Sequence, residues 1–141
     1  MVVDHIGIAC HNTDELVKLY SGVLKGRIGE SKVYEDMGCV STFINFYNAK
    51  LEILEPCNNN SVISSYLDKK GIGLHHISFK VDNIESIYNS INTTGKEFLH
   101  EIKEVNEMSK MIKYTFMSPK FSNNILIELF EEKDVSTRGE L

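Results

Sequence analysis

The chain has 141 residues and a mass of 16.0 kDa, which suits one compact domain or two small modules sharing a core and leaves no room for separate substrate and cofactor domains. Hydrophobic residues make up 42% and charged residues 25%, a globular composition rather than a disordered one. Lys and Arg number 15 against 20 Asp and Glu, for a net charge of −5, so no overall positive field exists to hold a polyanion and nucleic acid is not an expected partner.

No apolar run approaches the roughly 20 residues that a membrane helix needs. The opening Met1-Val2-Val3-Asp4-His5 has neither a basic stretch nor a long apolar one, so it does not read as a signal peptide, and the expected compartment is the cytoplasm. Cys10, Cys39 and Cys57 are an odd number at wide spacing, which argues against a disulfide framework and a four-cysteine zinc site.

In chain order, residues 2–9 read as a strand, and Asn12-Thr13-Asp14 as the N-cap of a helix with Leu16, Leu19, Tyr20, Val23 and Leu24 at helical spacing. Gly26 is expected to end that helix as a C-terminal cap. Strands are expected near 31–34, 40–46 and 50–54. The cluster Pro56-Cys57-Asn58-Asn59-Asn60 reads as a turn, 61–70 as a short helix and Gly71-Ile72-Gly73 as its end. A strand at 74–81, a cap at Asp82-Asn83, a helix through Ile84, Ile87, Tyr88 and Ile91 ended by Gly95, and strands near 98–102, 112–117 and 124–130 complete the reading.

The second half repeats the first. Val3-Asp4-His5-Ile6-Gly7-Ile8 lies over Leu74-His75-His76-Ile77-Ser78-Phe79, with His5 on His76, and Asn12 falls on Asn83. Further on, Lys50-Leu51-Glu52-Ile53-Leu54-Glu55 lies over Leu126-Ile127-Glu128-Leu129-Phe130-Glu131, with Glu52 on Glu128 after a slip of about five residues, the size of a loop insertion. Each half is a β-α-β-β-β module of about 60 residues, too small to bury a core alone, so pairing of the two is expected. The predicted organisation is a single domain over 1–141: module 1 at about 1–56, a linker helix at about 57–73, module 2 at about 74–131 and a tail at 132–141.

Strand alternation gathers the candidate chemistry. In Leu51-Glu52-Ile53 and Ile127-Glu128-Leu129 the glutamate faces away from its apolar neighbours, and in Asp4-His5-Ile6-Gly7-Ile8 His5 shares a face with Gly7. Taken singly, each is an ordinary strand residue or a solvated face. The recurrence of both types at matching positions makes two His and two Glu a candidate set for Co²⁺, Ni²⁺, Zn²⁺ or Mn²⁺, among which the ligands do not choose. His75 is expected on the strand face opposite His76, His11 and His100 at the surface. Lys69-Lys70, or Lys110 with Lys113, are candidates for anionic substrate groups, although charge clusters are usually solvated faces. Gly-rich phosphate loops, Gly-x-Ser-x-Gly elbows and His-Glu-x-x-His helices are absent from the sequence.

The segments Asp4-His5-Ile6-Gly7-Ile8-Ala9, Leu51-Glu52-Ile53-Leu54-Glu55-Pro56, Gly73-Leu74-His75-His76-Ile77-Ser78-Phe79-Lys80-Val81-Asp82-Asn83-Ile84 and Ile125-Leu126-Ile127-Glu128-Leu129 together resemble the vicinal-oxygen-chelate superfamily. Within it they look most like methylmalonyl-CoA epimerase, with glyoxalase I a close relative. The resemblance implies an α+β fold of two tandem βαβββ modules forming a cupped mixed sheet around one divalent metal ion. By position it implies His5, Glu52, His76 and Glu128 as metal ligands; the second is Gln in some epimerases. Some epimerases carry a further acid/base glutamate on a middle strand of the first module, where this chain has Ser41. The polar run after Glu104 also stands where many relatives have a Gly-rich loop.

The activity so implied is a metal-dependent epimerisation: proton abstraction next to a thioester carbonyl, with Glu128 as principal base and Glu52, or a water held by the metal, as acid on the opposite face. Lactoylglutathione lyase chemistry of the glyoxalase I type, on a thiol hemithioacetal, needs the same parts. A metal-free binding or resistance protein on the same scaffold is the reading from another class, and the four ligand-type residues weigh against it. Expected partners are an acyl-thioester of CoA or glutathione type and, by analogy, a second copy in a homodimer.

Overall fold

The computed structural model describes residues 1–107 and 109–135. Its elements run β1 (Val2–Ala9), α1 (Thr13–Val17), β2 (Arg27–Tyr34), β3 (Cys39–Asn45), β4 (Lys50–Pro56), α2 (Val62–Lys70), β5 (Gly73–Lys80), α3 (Ile84–Asn92), β6 (Lys103–Glu107), β7 (Lys110–Met117) and β8 (Leu126–Asp134). The class is α+β, with the β-α-β-β-β order present twice. Of the tail expected from residue 132, the first part continues β8, and residues 136–141 lie outside the described residues. The chain forms two compact units, Asp4–His76 and Met1–Val3 with the chain from Ile77 onward.

In the unit Asp4–His76 the strand order is β2-β3-β4-β1. β2/β3 and β3/β4 are antiparallel, and β1 runs parallel to β4 with Gly7 opposite Glu52. One face carries Ile8, Cys10, Ile44 and Ile53 against Leu16, Val17 and Tyr20 of the first helical segment. The other carries Ala9, Cys39 and Leu54, covered by Ile63 and Leu67 of α2. Alternation then puts His5 and Gly7, Ser41, and Glu52 on this second face, next to the area that α2 roofs. Ser61 caps α2 by accepting from the Ser64 backbone N–H at 2.9 Å, and the helix ends at Gly71, whose φ of 77° is in the glycine-favouring region.

In the unit from Ile77 onward the order is β5-β8-β7-β6, with β7 antiparallel to both β8 and β6. Val81, Ile84 and Leu129 form its core, flanked by Ile87, Ile91, Phe98 and Ile102. The repeat extends to helix anchoring. Glu55 accepts from Thr13 N–H (2.7 Å) and Thr13 Oγ1 (2.5 Å) at the start of α1, and its counterpart Glu131 accepts from Ile84 N–H (2.8 Å) at the start of α3. Each ligand-type glutamate is thus followed three residues later by a carboxylate that satisfies an orphan donor of its own module's helix.

Three expectations need correction. The strand expected at 98–102 lies at Lys103–Glu107, and Phe98 makes only an isolated bridge to Met117. Phe98 and Ile102 are apolar because they pack on the α3 core, while the true strand is an edge strand whose charged side chains blunt further pairing. The first helix is α-helical only through Val17 and continues as a π-helical stretch over Lys18–Val23. Gly26 ends it through its backbone N–H, which donates to the Tyr20 carbonyl at 2.8 Å, but the positive φ of the cap falls on Lys25 (61°), whose Nζ donates to the Gly22 carbonyl at 2.7 Å. Gly26 is required for space, since a Cβ there would lie 2.6 Å from Ile44 Cγ2. Gly95 does carry a positive φ (74°) after α3.

Glu131→Ala is expected to lower unfolding stability by about 1–3 kcal/mol in urea denaturation, because it orphans a buried backbone donor. Glu132→Ala, which removes only half-exposed pairs to Lys80 and Lys110, is expected to cost about 0–1 kcal/mol. Equal losses for the two would contradict the anchoring role of Glu131.

Candidate metal centre

Among the described residues one cluster has the donors to hold a metal ion: His5 from β1, Glu52 from β4 and His76 from β5. The three are 7%, 7% and 5% exposed, and all belong to the unit Asp4–His76. His5 Nε2 lies 3.1 Å from His76 Nε2, and Glu52 Oε2 lies 3.2 Å from His5 Nε2 and 3.3 Å from His76 Nε2. Donors bound to one first-row ion at about 2.1 Å are separated by roughly 3.0 Å in octahedral and roughly 3.4 Å in tetrahedral geometry. The observed near-equilateral triangle falls between these values, so the donor set fits a divalent cation.

The approach of the strands makes this triangle possible. Gly7 stands two residues from His5 on the same face, and a Cβ on it would lie 2.3 Å from both Cε1 and Nδ1 of the His76 ring. The absence of a side chain at Gly7 is what lets that imidazole lie flat over β1 and reach Glu52. His5 is fixed by edge-to-face contacts with Phe43 (5.4 Å between centroids) and His76 (5.2 Å).

Burial works against a charged Glu52, but hydrogen bonds and positive charge from His5 and His76 outweigh it and hold the carboxyl well below the usual carboxylate range. Its second oxygen, Oε1, accepts from Ser41 Oγ at 2.6 Å. Both oxygens are therefore engaged. Burial, reinforced by the Glu52 carboxylate, pushes the Cys39 thiol up to about 11, so this cysteine is an inert packing residue.

Of the four ligand candidates, the structure brings together His5, Glu52 and His76. Glu128 lies on β8 in the other unit, its Cα opposite Phe116. It alternates with Leu129 of the α3 core, so its carboxylate faces away from α3. His75 is nearer the cluster than regular alternation predicts: its Nδ1 is 3.0 Å from His76 Nδ1, and its ring packs on Tyr66 of α2 at 4.8 Å. Burial first, then the neighbouring His76 charge, lowers its pKa to about 4. His11 is exposed; His100 is half-buried, with Tyr114 and Phe116 each 5.9 Å away. Lys110 and Lys113 do not act together, since Lys110 pairs with Glu132 and Lys113 with Glu85 on the opposite strand face. Lys69 and Lys70 end α2 as exposed side chains. The sequence reading passed over Asp4, whose carboxylate meets His5 Nδ1 at 2.7 Å; its position immediately before a candidate ligand was the available signal.

The model of the glyoxalase/bleomycin resistance protein/dioxygenase superfamily matches residues 4–116, and the chain belongs to this superfamily. It is related to methylmalonyl-CoA epimerases. The human mitochondrial methylmalonyl-CoA epimerase is 28% identical over 128 residues, covering 90% of this chain and 72% of that protein. The uncharacterized protein YqjC of Bacillus subtilis (strain 168) is 29% identical over 131 residues, covering 93% and 92%. A solved methylmalonyl-CoA epimerase in complex with methylmalonyl-CoA and NH4+ superposes with a TM-score of 0.79 at 29% identity, covering 92% of each chain. A hypothetical protein of Bacillus halodurans C-125 superposes with a TM-score of 0.85 at 26% identity, covering 99% of this chain and 98% of that one. Among the described residues, no helix is long and apolar enough to cross a membrane.

Gly7→Ala is expected to displace the His76 ring and weaken Co²⁺ binding at least about tenfold in calorimetric titration, at a stability cost of about 1–3 kcal/mol. Unchanged affinity would show that His76 is not a ligand. A second expectation concerns acid. The folded protein holds His75 neutral down to about 4, whereas the free side chain protonates near 6.5. Between those values the unfolded state binds more protons, so the His75 contribution to stability falls as pH drops from 6.5 to 4. Chelator-treated His75→Gln should show a shallower loss over that window in thermal melts than the unmodified protein.

Proposed function

We propose that this chain is a metal-dependent epimerase of methylmalonyl-CoA or a closely similar branched acyl-CoA. The observation that carries the reading is the His5–Glu52–His76 triangle, with 3.1–3.3 Å edges, in a chain related over nine-tenths of its length to methylmalonyl-CoA epimerases. Glu128 is the fourth ligand candidate and the base.

The hydrogen on a carbon between a thioester carbonyl and a carboxylate leaves slowly at neutral pH unless the resulting charge is stabilised. A divalent ion held by His5, Glu52 and His76 would supply that stabilisation as a Lewis acid. Glu128 takes the proton; the C–H bonding pair moves into the thioester as an enolate, and return of a proton to the opposite face inverts the centre. Glu52 is suited to ligation rather than proton return, because Oε2 lies in the triangle and Oε1 is held by Ser41. The first module offers no carboxylate at Ser41 to serve as a second acid, so return of the proton to the face opposite Glu128 falls to solvent.

The test is exchange of the substrate C–H for deuterium, followed by NMR in D2O, in protein stripped of metal and reloaded with Co²⁺ or Ni²⁺. Exchange that requires metal and falls about 10²–10⁴-fold in Glu128→Gln is the expected result. No exchange with either metal would overturn the epimerase reading, and turnover of a glutathione hemithioacetal under the same conditions would replace it with a glyoxalase-type lyase.

A further inference from the structure

Every member of the His5–Glu52–His76 cluster has a second polar atom, and each such atom is bonded outward. Glu52 Oε1 accepts from Ser41 Oγ at 2.6 Å, His76 Nδ1 meets His75 Nδ1 at 3.0 Å, and His5 Nδ1 meets Asp4 Oδ2 at 2.7 Å. The last brings the full negative charge of a carboxylate to the outer nitrogen of a ligand ring. The Asp4 side chain is 19% exposed, and the same Oδ2 takes Lys50 Nζ at 2.7 Å. Lys50 in turn lies over the Phe43 ring at 5.1 Å, and Phe43 stands edge-on to His5.

This closed circuit fixes which nitrogen of one ring donates outward. A carboxylate oxygen only accepts, so His5 Nδ1 must carry the hydrogen in that bond. With Nδ1 so committed, Nε2 is the atom that faces Glu52 and His76, and it is the nitrogen whose lone pair would bind an ion once its proton is displaced. We propose that Asp4, clamped by Lys50, is a positioning residue for the metal centre: it holds His5 in the ligating tautomer and strengthens the ring as a donor through its charge. The inference rests on the metal reading above and adds to it a residue that touches neither ion nor substrate. Carboxylates behind ligand histidines typically contribute 10–100-fold in affinity.

The experiment compares Co²⁺ dissociation constants and the visible absorption of the Co²⁺-loaded protein for the unmodified chain, Asp4→Ala, Asp4→Asn and the fully exposed control Asp82→Ala. The expected result is a dissociation constant raised about 10–100-fold in Asp4→Ala with a shifted Co²⁺ absorption band. Asp4→Asn should lie between, since its amide oxygen keeps the acceptor and loses the charge, and Asp82→Ala should match the unmodified protein. If Asp4→Ala does not fold, Asp4→Asn decides the matter. Constants and bands of the Asp4 variants indistinguishable from the control would overturn this inference alone. An unmodified protein that takes up no Co²⁺ would overturn the metal reading and this inference together.

Discussion

The structure turns on a cost: two imidazoles and a carboxylate are taken out of water within 3.3 Å of one another. Isolated, each of these groups would be expensive to bury. Their mutual contacts offset part of the cost, as the depressed Glu52 pKa records, and outward bonds to Asp4, Ser41 and His75 satisfy atoms that would otherwise be orphaned. Such a fully connected buried network is a poor way to gain stability compared with apolar packing. Its retention in a small core points to a use for the donors that face inward.

The backbone supplies the positions. β1 and β4 are parallel with Gly7 opposite Glu52, and β3 is antiparallel to β4 with Phe43 opposite the same glutamate. That register puts His5, Glu52 and Ser41 on one face and sends Ile8, Ile44 and Ile53 to the other, under the first helix. A slip of one residue in β4 would exchange Glu52 for Leu51 or Ile53 and dismantle both the core and the cluster. Core and site therefore enforce the same register. The α2 segment belongs to this arrangement, since Ile63 and Leu67 seal the apolar end of the face on which the cluster lies.

Much of this was legible in the chain because the repeat doubles each signal. A lone His5 is uninformative, but His5 over His76 and Glu52 over Glu128 gave three residues that the fold gathers and a fourth on the corresponding strand of the second module. What was not legible was polar or local in origin. β6 is charged because it is an edge, and apolar periodicity could not find it. The shift of the first helix into π-helical geometry, and the positive φ at Lys25, have no compositional signature. Asp4 is not marked by the sequence pattern because strand alternation assigns it to the face opposite His5, whereas a short carboxylate beside an imidazole can bend back to the ring's outer nitrogen.

Ser41 shows how one neighbouring residue sets the chemistry of a buried carboxylate. A carboxylate at this position, next to Glu52, would place two like charges within a few ångströms, and one of them would be pushed toward the neutral, proton-donating form. A hydroxyl does the reverse. By donating to Oε1 it stabilises Glu52 as an anion and so favours its ligand character over any exchange of protons. The cluster in this chain is thereby organised for holding charge rather than for releasing a proton from Glu52. Glu128 has the corresponding place in the repeat of the second module, where its Cα stands opposite Phe116 on β7.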